Sequence, residues 1–177
     1  MASYWCEGAC HVSMNELCRR ADVSKPGVYR EFGSEDGLMD AALAHYHTTV
    51  IAPLIALLDS PRPFGETLEL LLSFSTAPSD HPPGCLLADL RGAPARPGPL
   101  TAARVEAMTH ALREAYGRWF SQAQARGEVD AALELELGTH FIDTQLTTVV
   151  TQMALGADPH LTRAQAELAF RALTTAR

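Results

Sequence analysis

The sequence predicts an all-α protein, and three features of its patterning predict it. Apolar residues recur at steps of three and four through most of the 177 residues. No segment alternates with period two for long enough to make a strand. The run Thr147-Thr148-Val149-Val150-Thr151 has β-propensity, but the helical stripes around it outweigh that. Breaks fall where proline, glycine and serine gather, at residues 60–63, 78–84 and 92–99. The architecture expected is a three-helix N-terminal unit with a short first helix, joined through a long helix to a larger helical domain.

Taken in order, residues 2–7 leave room for only a short helix before Gly8. Ser13 and Glu16 form an S-x-x-E capping box, and Ser24 can cap a second helix with Lys25, Pro26 and Gly27 in its first turn. Proline is tolerated there because its missing N–H has no helical partner to lose. Leu17, Ala21, Val23, Val28 and Phe32 are the apolar contacts expected to fix the angle between these helices. Ser34 can cap a long helix that carries Leu38, Ala41, Ala42, His45, Thr49, Leu54, Leu57 and Leu58 and is interrupted by Pro53. An apolar helix follows over 64–76, then a short one over 85–90. The longest apolar periodicity comes next, over 100–123, with Gly127 as its C-cap. Residues 131–155 carry two apolar stripes. One is Ile142, Leu146, Val149, Val150 and Met153; the other is Leu133, Leu137, Phe141, Thr144, Thr148 and Leu155. A helix apolar on two faces is expected to be buried on two sides, by its own core and by a second subunit. Thr162 and Gln165 suggest a capping box opening a last helix with Ala166, Phe170 and Leu173 on one side.

Two short helices joined by a tight turn over residues 13–32 have the shape of a DNA-reading helix-turn-helix, whose second helix puts its N-terminal residues into a major groove. Residues 23–38, Val-Ser-Lys-Pro-Gly-Val-Tyr-Arg-Glu-Phe-Gly-Ser-Glu-Asp-Gly-Leu, resemble the signature of TetR/AcrR-type transcriptional regulators. The resemblance covers residues 1–47 closely and the remainder loosely, through Pro83-Gly84-Cys85-Leu86-Leu87 and Arg126-Gly127-Glu128-Val129. It implies a DNA-binding unit over 1–47 and a helical ligand-binding and dimerisation domain over 48–177. The function implied is that of a ligand-responsive repressor acting as a homodimer on double-stranded operator DNA. Entry of a small-molecule effector would shift the linking helix and change the separation of the two reading helices. Those must match half-sites one DNA turn apart, roughly 34–36 Å, so small shifts abolish binding.

Matched by motif position, Ser24, Lys25 and Tyr29 are the implied phosphate contacts, with Pro26, Gly27 and Arg30 completing the DNA-facing surface. Pro26 and Gly27 offer no side-chain hydrogen bond, so direct base readout would fall to Lys25. Phe74, Met108, Tyr116, Trp119 and Phe141 are candidates for an effector cavity, against the simpler alternative of core packing. Ile142, Leu146, Val149, Val150, Met153, Phe170 and Leu173 are candidates for the dimer interface, since the family's dimers pack through their last two helices.

Three departures from the family pattern point the other way. Glu31 stands where histidine is usual, Glu35 where lysine is usual, and the first helix is short. That short helix should leave Leu17, Val28 and Phe32 less covered. The chain carries a net charge of −7, and residues 1–47 hold four cations against seven carboxylates. DNA affinity rests largely on neutralising phosphates, so such a unit should bind weakly unless its cations are well placed. All four lie between Arg19 and Arg30. The alternative is thus a TetR-like ligand-binding or interaction dimer with weak or lost DNA binding.

Cys6, Cys10 and His11 could offer three soft metal ligands, but without a second close-spaced pair the zinc signal is weak. A cysteine-based redox switch involving Cys6, Cys10, Cys18 or Cys85 is the least favoured regulator. No G-x-S-x-G, Gly-rich phosphate loop or metalloprotease pair is present, so enzyme chemistry, metal and cofactor are not expected. With no basic signal peptide and no apolar run judged long enough for a membrane span, the cytoplasm is the expected location and no membrane partner is expected.

Overall fold

A computed structural model describes residues 1–7, 12–78, 81–93 and 97–174, and every regular element among them is helical. The elements are α1 (Ala2–Glu7), α2 (Met14–Ala21), α3 (Lys25–Phe32), α4 (Glu35–Tyr46), α5 (Ala52–Leu58), α6 (Phe64–Thr76), α7 (Leu86–Gly92), α8 (Pro99–Ala125), α9 (Leu135–Ala154) and α10 (Pro159–Phe170). A π-helical stretch, His47–Ile51, joins α4 to α5, and a 3₁₀ turn, Arg171–Leu173, follows α10. The chain divides into two compact units: Met1–Ala52 with Cys85–Thr109, and Pro53–Gly84 with His110–Arg177.

In the first unit, α2 and α3 close over Met14, Cys18 and Val28, with Leu38 packed against them. The sequence placed Leu17, Ala21 and Val23 at this contact. Instead Leu17 is half-buried, while Ala21 and Val23 are exposed. Residues 14 and 18 share a face one helical turn apart, so the buried stripe of α2 is rotated by one position from the one expected. The short α1 nevertheless contributes to a core: Tyr4 and Trp5 are buried, and the Trp5 ring meets Tyr46 edge-on at 4.9 Å. Val28 is covered, whereas Phe32 stays exposed.

Two carboxylates of α4 fasten the start of α8. Asp36 accepts the backbone N–H groups of Leu100 at 2.9 Å and Thr101 at 3.0 Å, satisfying donors that an α-helix leaves open at its N-terminus. Burial pushes the Asp36 carboxyl up, but the bonds from Thr101 and Leu100 outweigh it and hold the group below its ordinary value. One turn on, Asp40 grips Arg104 through both carboxylate oxygens. Gly98 permits this approach, because a Cβ there would lie 2.3 Å from the Asp36 carboxyl carbon.

Pro53 acts as the sequence suggests, through a local change of winding. It cannot donate to the carbonyl one turn back, and the five residues before Ala52 adopt π geometry to absorb the lost bond. The continuous helical run Glu35–Leu58 is long and apolar enough, by length and composition alone, to cross a membrane, which corrects the expectation that no run reaches that length. Its first half carries Asp36 and Asp40, both committed to α8.

In the second unit, α6, α9 and α10 pack on one another. Trp119 stacks on Phe64 with centroids 4.3 Å apart and planes 17° apart; Phe64 meets Phe170 at 6.4 Å, and Phe170 meets Phe141 edge-on at 5.8 Å. Gly138 of α9 faces the Phe120 ring, which any Cβ would overlap. The expected capping box at Thr162 is not the start of α10. Asp158 is the N-cap, accepting from the Leu161 N–H at 2.8 Å, with Pro159 in the first turn, and Thr162 is buried inside the helix. An Asp-Pro pair supplies both the cap acceptor and the pre-set φ, so it outcompetes the later Thr-x-x-Gln signal.

Candidate nucleic-acid interface

The α2–turn–α3 segment is shaped by side-chain caps at each of its corners. Ser13 accepts from the Glu16 N–H at 3.3 Å, Ser24 from Gly27 at 3.2 Å and Ser34 from Gly37 at 3.0 Å. The reciprocal arm of the first box is missing, because the Glu16 carboxylate turns to Arg19 and Arg20 at 2.6 Å each. Between α3 and α4 the chain turns at Gly33, with φ +75°. Gly37 then passes so close to the Phe32 carbonyl oxygen that a Cβ would sit 2.0 Å from it.

The six DNA-facing residues expected from the sequence lie on the surface of α3 and its cap. Ser24, Lys25, Pro26, Tyr29 and Arg30 are exposed and Gly27 is half-buried. Because Ser24 uses its oxygen as acceptor for the cap, its own O–H remains able to donate outward. Lys25 and Arg30 carry no ion pair among the described residues. Arg19 and Arg20, in contrast, are held by Glu16, whose carboxyl their hydrogen bonds and charges draw down to about 2. Of the four cations in residues 1–47, two are therefore available to a polyanion without first breaking an intramolecular bond.

Sequence reasoning missed what Tyr29 does in the absence of DNA. Its hydroxyl donates to the Glu35 carboxylate at 3.1 Å, and this bond, followed by desolvation and the Glu35 charge, raises the phenol above its ordinary value. The signal was present: an acidic residue stands six positions after the tyrosine, in the first turn of the next helix. Glu31 is exposed, as its position on α3 implied.

The cavity candidates scatter. Met108, Tyr116 and Trp119 are buried, and Phe141 is half-buried. Phe74 is 52% exposed and lies against His81 at 4.4 Å. Phe64 and Phe170, which join Trp119 and Phe141 into one aromatic run, were not among them. A groove of about 760 Å³ runs along α8 and α9, past Arg113, Gly117, Arg118, Ser121 and Leu135, and none of the five candidates lines it. Of the dimer candidates, Ile142, Leu146, Val149, Phe170 and Leu173 are buried within the protomer, and Val150 and Met153 are half-buried. The other stripe of α9, with Leu137, Thr144, Thr148 and Leu155, is the exposed one.

Cys18 lies in the small core, and Cys85 accepts the Tyr46 O–H at 3.2 Å. The Cys6, Cys10 and His11 ligand set lies outside the residues whose side chains are described. Among the described residues no three His, Cys, Asp or Glu side chains cluster as metal ligands.

Residues 2–42 match the family model described as bacterial regulatory proteins, tetR family. No curated protein matches the chain in sequence. Solved structures similar to the chain over nearly its full length include those of NemR and CifR. The reduced form of E. coli NemR is 13% identical with a TM-score of 0.77, covering 98% of this chain and 92% of that one. A cysteine-substituted form of the TetR family transcriptional regulator CifR, complexed with 26-bp double-strand operator DNA, is 25% identical with a TM-score of 0.75, covering 97% and 91%. The N-terminal residues 2–42 thus match the tetR family model, and the all-helical fold of the whole chain is similar to that of CifR, a TetR family transcriptional regulator.

Proposed function

We infer that this chain is a ligand-responsive repressor that binds double-stranded operator DNA as a homodimer, with residues 1–47 reading DNA and residues 48–177 holding the effector site and the dimer contact. The observation that carries this reading is α3. Its cap, its first-turn Lys25 and its Tyr29 are presented together on an exposed edge, which is the arrangement a helix needs to enter a major groove while holding phosphates at its flanks. The CifR structure, solved on operator DNA, supports the same assignment. No catalytic role is assigned.

For the dimer contact we favour the exposed stripe over Ile142, Leu146, Val149, Phe170 and Leu173. Side chains already buried in the protomer's core have no surface left to give a partner. Leu137, Phe141, Thr144 and Thr148 on α9 and Leu155 at its C-cap, with Leu161 and Leu168 on α10, are the exposed or half-buried alternative. Leu155, Leu161 and Leu168 are each at least 60% exposed, so pairing two copies removes from water the largest apolar side chains this region leaves uncovered. For the effector, the groove along α8 and α9, past Arg113, Gly117, Arg118, Ser121 and Leu135, is the open surface that could receive a small molecule.

Fluorescence anisotropy of the protein with its own upstream DNA, beside scrambled DNA, at low and near-physiological salt, tests the regulator. Selective binding that survives the salt supports it, and Lys25→Ala should weaken it on every sequence. Absent or nonselective binding favours the second reading, a DNA-incompetent relative, for which Glu31 and the Tyr29–Glu35 bond speak. A light-scattering mass of one chain at micromolar concentration removes the dimer.

A further inference from the structure

We propose that Glu35 sets the DNA affinity of this protein by competition: its carboxylate occupies the single hydroxyl proton of Tyr29, and a DNA phosphate must displace it to make the contact. The proposal rests on the DNA-reading assignment above.

A phenol has one O–H to donate, and an ionised carboxylate can only accept. With Tyr29 donating to Glu35 at 3.1 Å, the proton that a phosphate oxygen would take is already given to another anion. The incoming phosphate also meets the carboxylate's charge at close range, which a lysine at that position would instead have neutralised. The backbone holds the pair in register. The Gly33 N–H bonds the Tyr29 carbonyl at 2.9 Å, the Leu38 N–H bonds the Ser34 carbonyl at 3.0 Å, and the Ser34 cap completes the corner. The six-residue separation is thus closed by the same turn that sets the angle between α3 and α4.

Among the described residues Glu35 has no cationic partner: Lys25 and Arg30 make no ion pair with it, and Arg19 and Arg20 are turned to Glu16. Its other neighbour is a second phenol, Tyr4 of α1, pushed up to about 12 first by burial and then by the Glu35 charge. The adjacent Asp36 is committed to the Leu100 and Thr101 amides. The Tyr29–Glu35 bond is exposed at both ends, so its contribution to folding is expected to be small and the variants that remove it are expected to fold.

A double-mutant cycle separates competition for the proton from simple charge repulsion. Parent, Glu35→Ala, Tyr29→Phe and the double variant are titrated by anisotropy against a labelled duplex of the protein's own upstream DNA at one fixed salt. Competition predicts that Glu35→Ala raises affinity about tenfold when residue 29 is tyrosine and far less when it is phenylalanine, because only the tyrosine gains a freed donor. Equal gains in both backgrounds leave the regulator standing and overturn the competition. A failure of all four proteins to bind selectively overturns the regulator assignment and the proposal with it. Glu35→Gln, which keeps an acceptor and removes the charge, should fall between parent and Glu35→Ala. A readout without DNA is the phenolate absorbance. The Tyr29 transition, found by difference against Tyr29→Phe, should move down towards 10.0 in Glu35→Ala. A transition that stays put means the bond is not formed in solution, and the proposal falls.

Discussion

In the unit formed by Met1–Ala52 and Cys85–Thr109, the reading helices close over Met14, Cys18 and Val28, three side chains of modest size. In the unit formed by Pro53–Gly84 and His110–Arg177, Trp119 and Phe120 are wholly buried and an aromatic run crosses the interior. The corners around α2, α3 and α4 take their shape from hydroxyl and carboxylate caps at helix ends and from glycines that let backbones meet. The second unit takes its shape from volume. A cap fixes an angle without needing a large core, which suits a small unit whose outer face must stay free. A large apolar interior supplies burial energy that the α2–α3 pair by itself lacks. Within the first unit that energy comes from side chains outside the pair such as Tyr4, Trp5, Leu43 and Tyr46.

The sharpest way to break this contrast is Trp119→Ala. Removing a fully buried indole stacked on Phe64 should cost about 3–5 kcal/mol, read as a drop in the urea midpoint with an unchanged slope. A loss below about 1 kcal/mol would mean that the aromatic run is not what holds the second unit. Gly37→Ala asks the same of the first. A Cβ 2.0 Å from the Phe32 carbonyl oxygen forces the α3–α4 corner to shift, at a cost of about 1–3 kcal/mol. DNA affinity should fall by more than stability alone explains, because the corner sets the pose of α3. An alanine tolerated there without effect would show that the corner is not tight. Thr67→Val has the opposite sign. The Thr67 hydroxyl is fully buried and has no hydrogen-bond partner among the described residues, so replacing it with a methyl group should stabilise by about 1 kcal/mol, seen as a raised Tm. Destabilisation would mean that the hydroxyl has a partner in solution.

The same contrast explains what the sequence disclosed. Caps are short-range chemistry written in adjacent residues, so Ser13, Ser24 and Ser34 could be assigned from the string alone, and each does accept its helix N–H. The failure at Thr162 is instructive because two cap signals stood four residues apart and the Asp158-Pro159 pair was overlooked. Burial depends on partners far away in the chain. Both stripes of α9 are apolar enough to be core, and only the approach of Phe120 to Gly138 shows which face turns inward. The DNA-facing residues could be read because the motif is local. Their intramolecular partner is signalled only by an acidic residue six positions on, and whether Tyr29 reaches it depends on the turn of the corner at Gly33.

The smallest expected effect probes why the reading unit can carry so few cations. Glu16 holds Arg19 through both carboxylate oxygens, at 2.6 and 2.9 Å, and Arg20 at 2.6 Å, and hydrogen bonding draws its carboxyl from 4.5 to about 2. The folded value is the lower one, so whatever the triad adds to stability is complete above pH 4.5 and is lost as pH falls through about 2. The group is exposed, so the contribution is small and screened by salt. The residue-resolved titration of Glu16 by NMR should follow this at low ionic strength and drift back towards 4.5 in concentrated salt. A Glu16 that titrates at its ordinary value even at low salt would mean that both arginines are already free. In that case Glu16→Gln should leave DNA binding unchanged. If the triad holds, the same substitution releases two cations beside α3, and the dependence of log affinity on log salt should steepen by up to about 0.9 for each new phosphate contact.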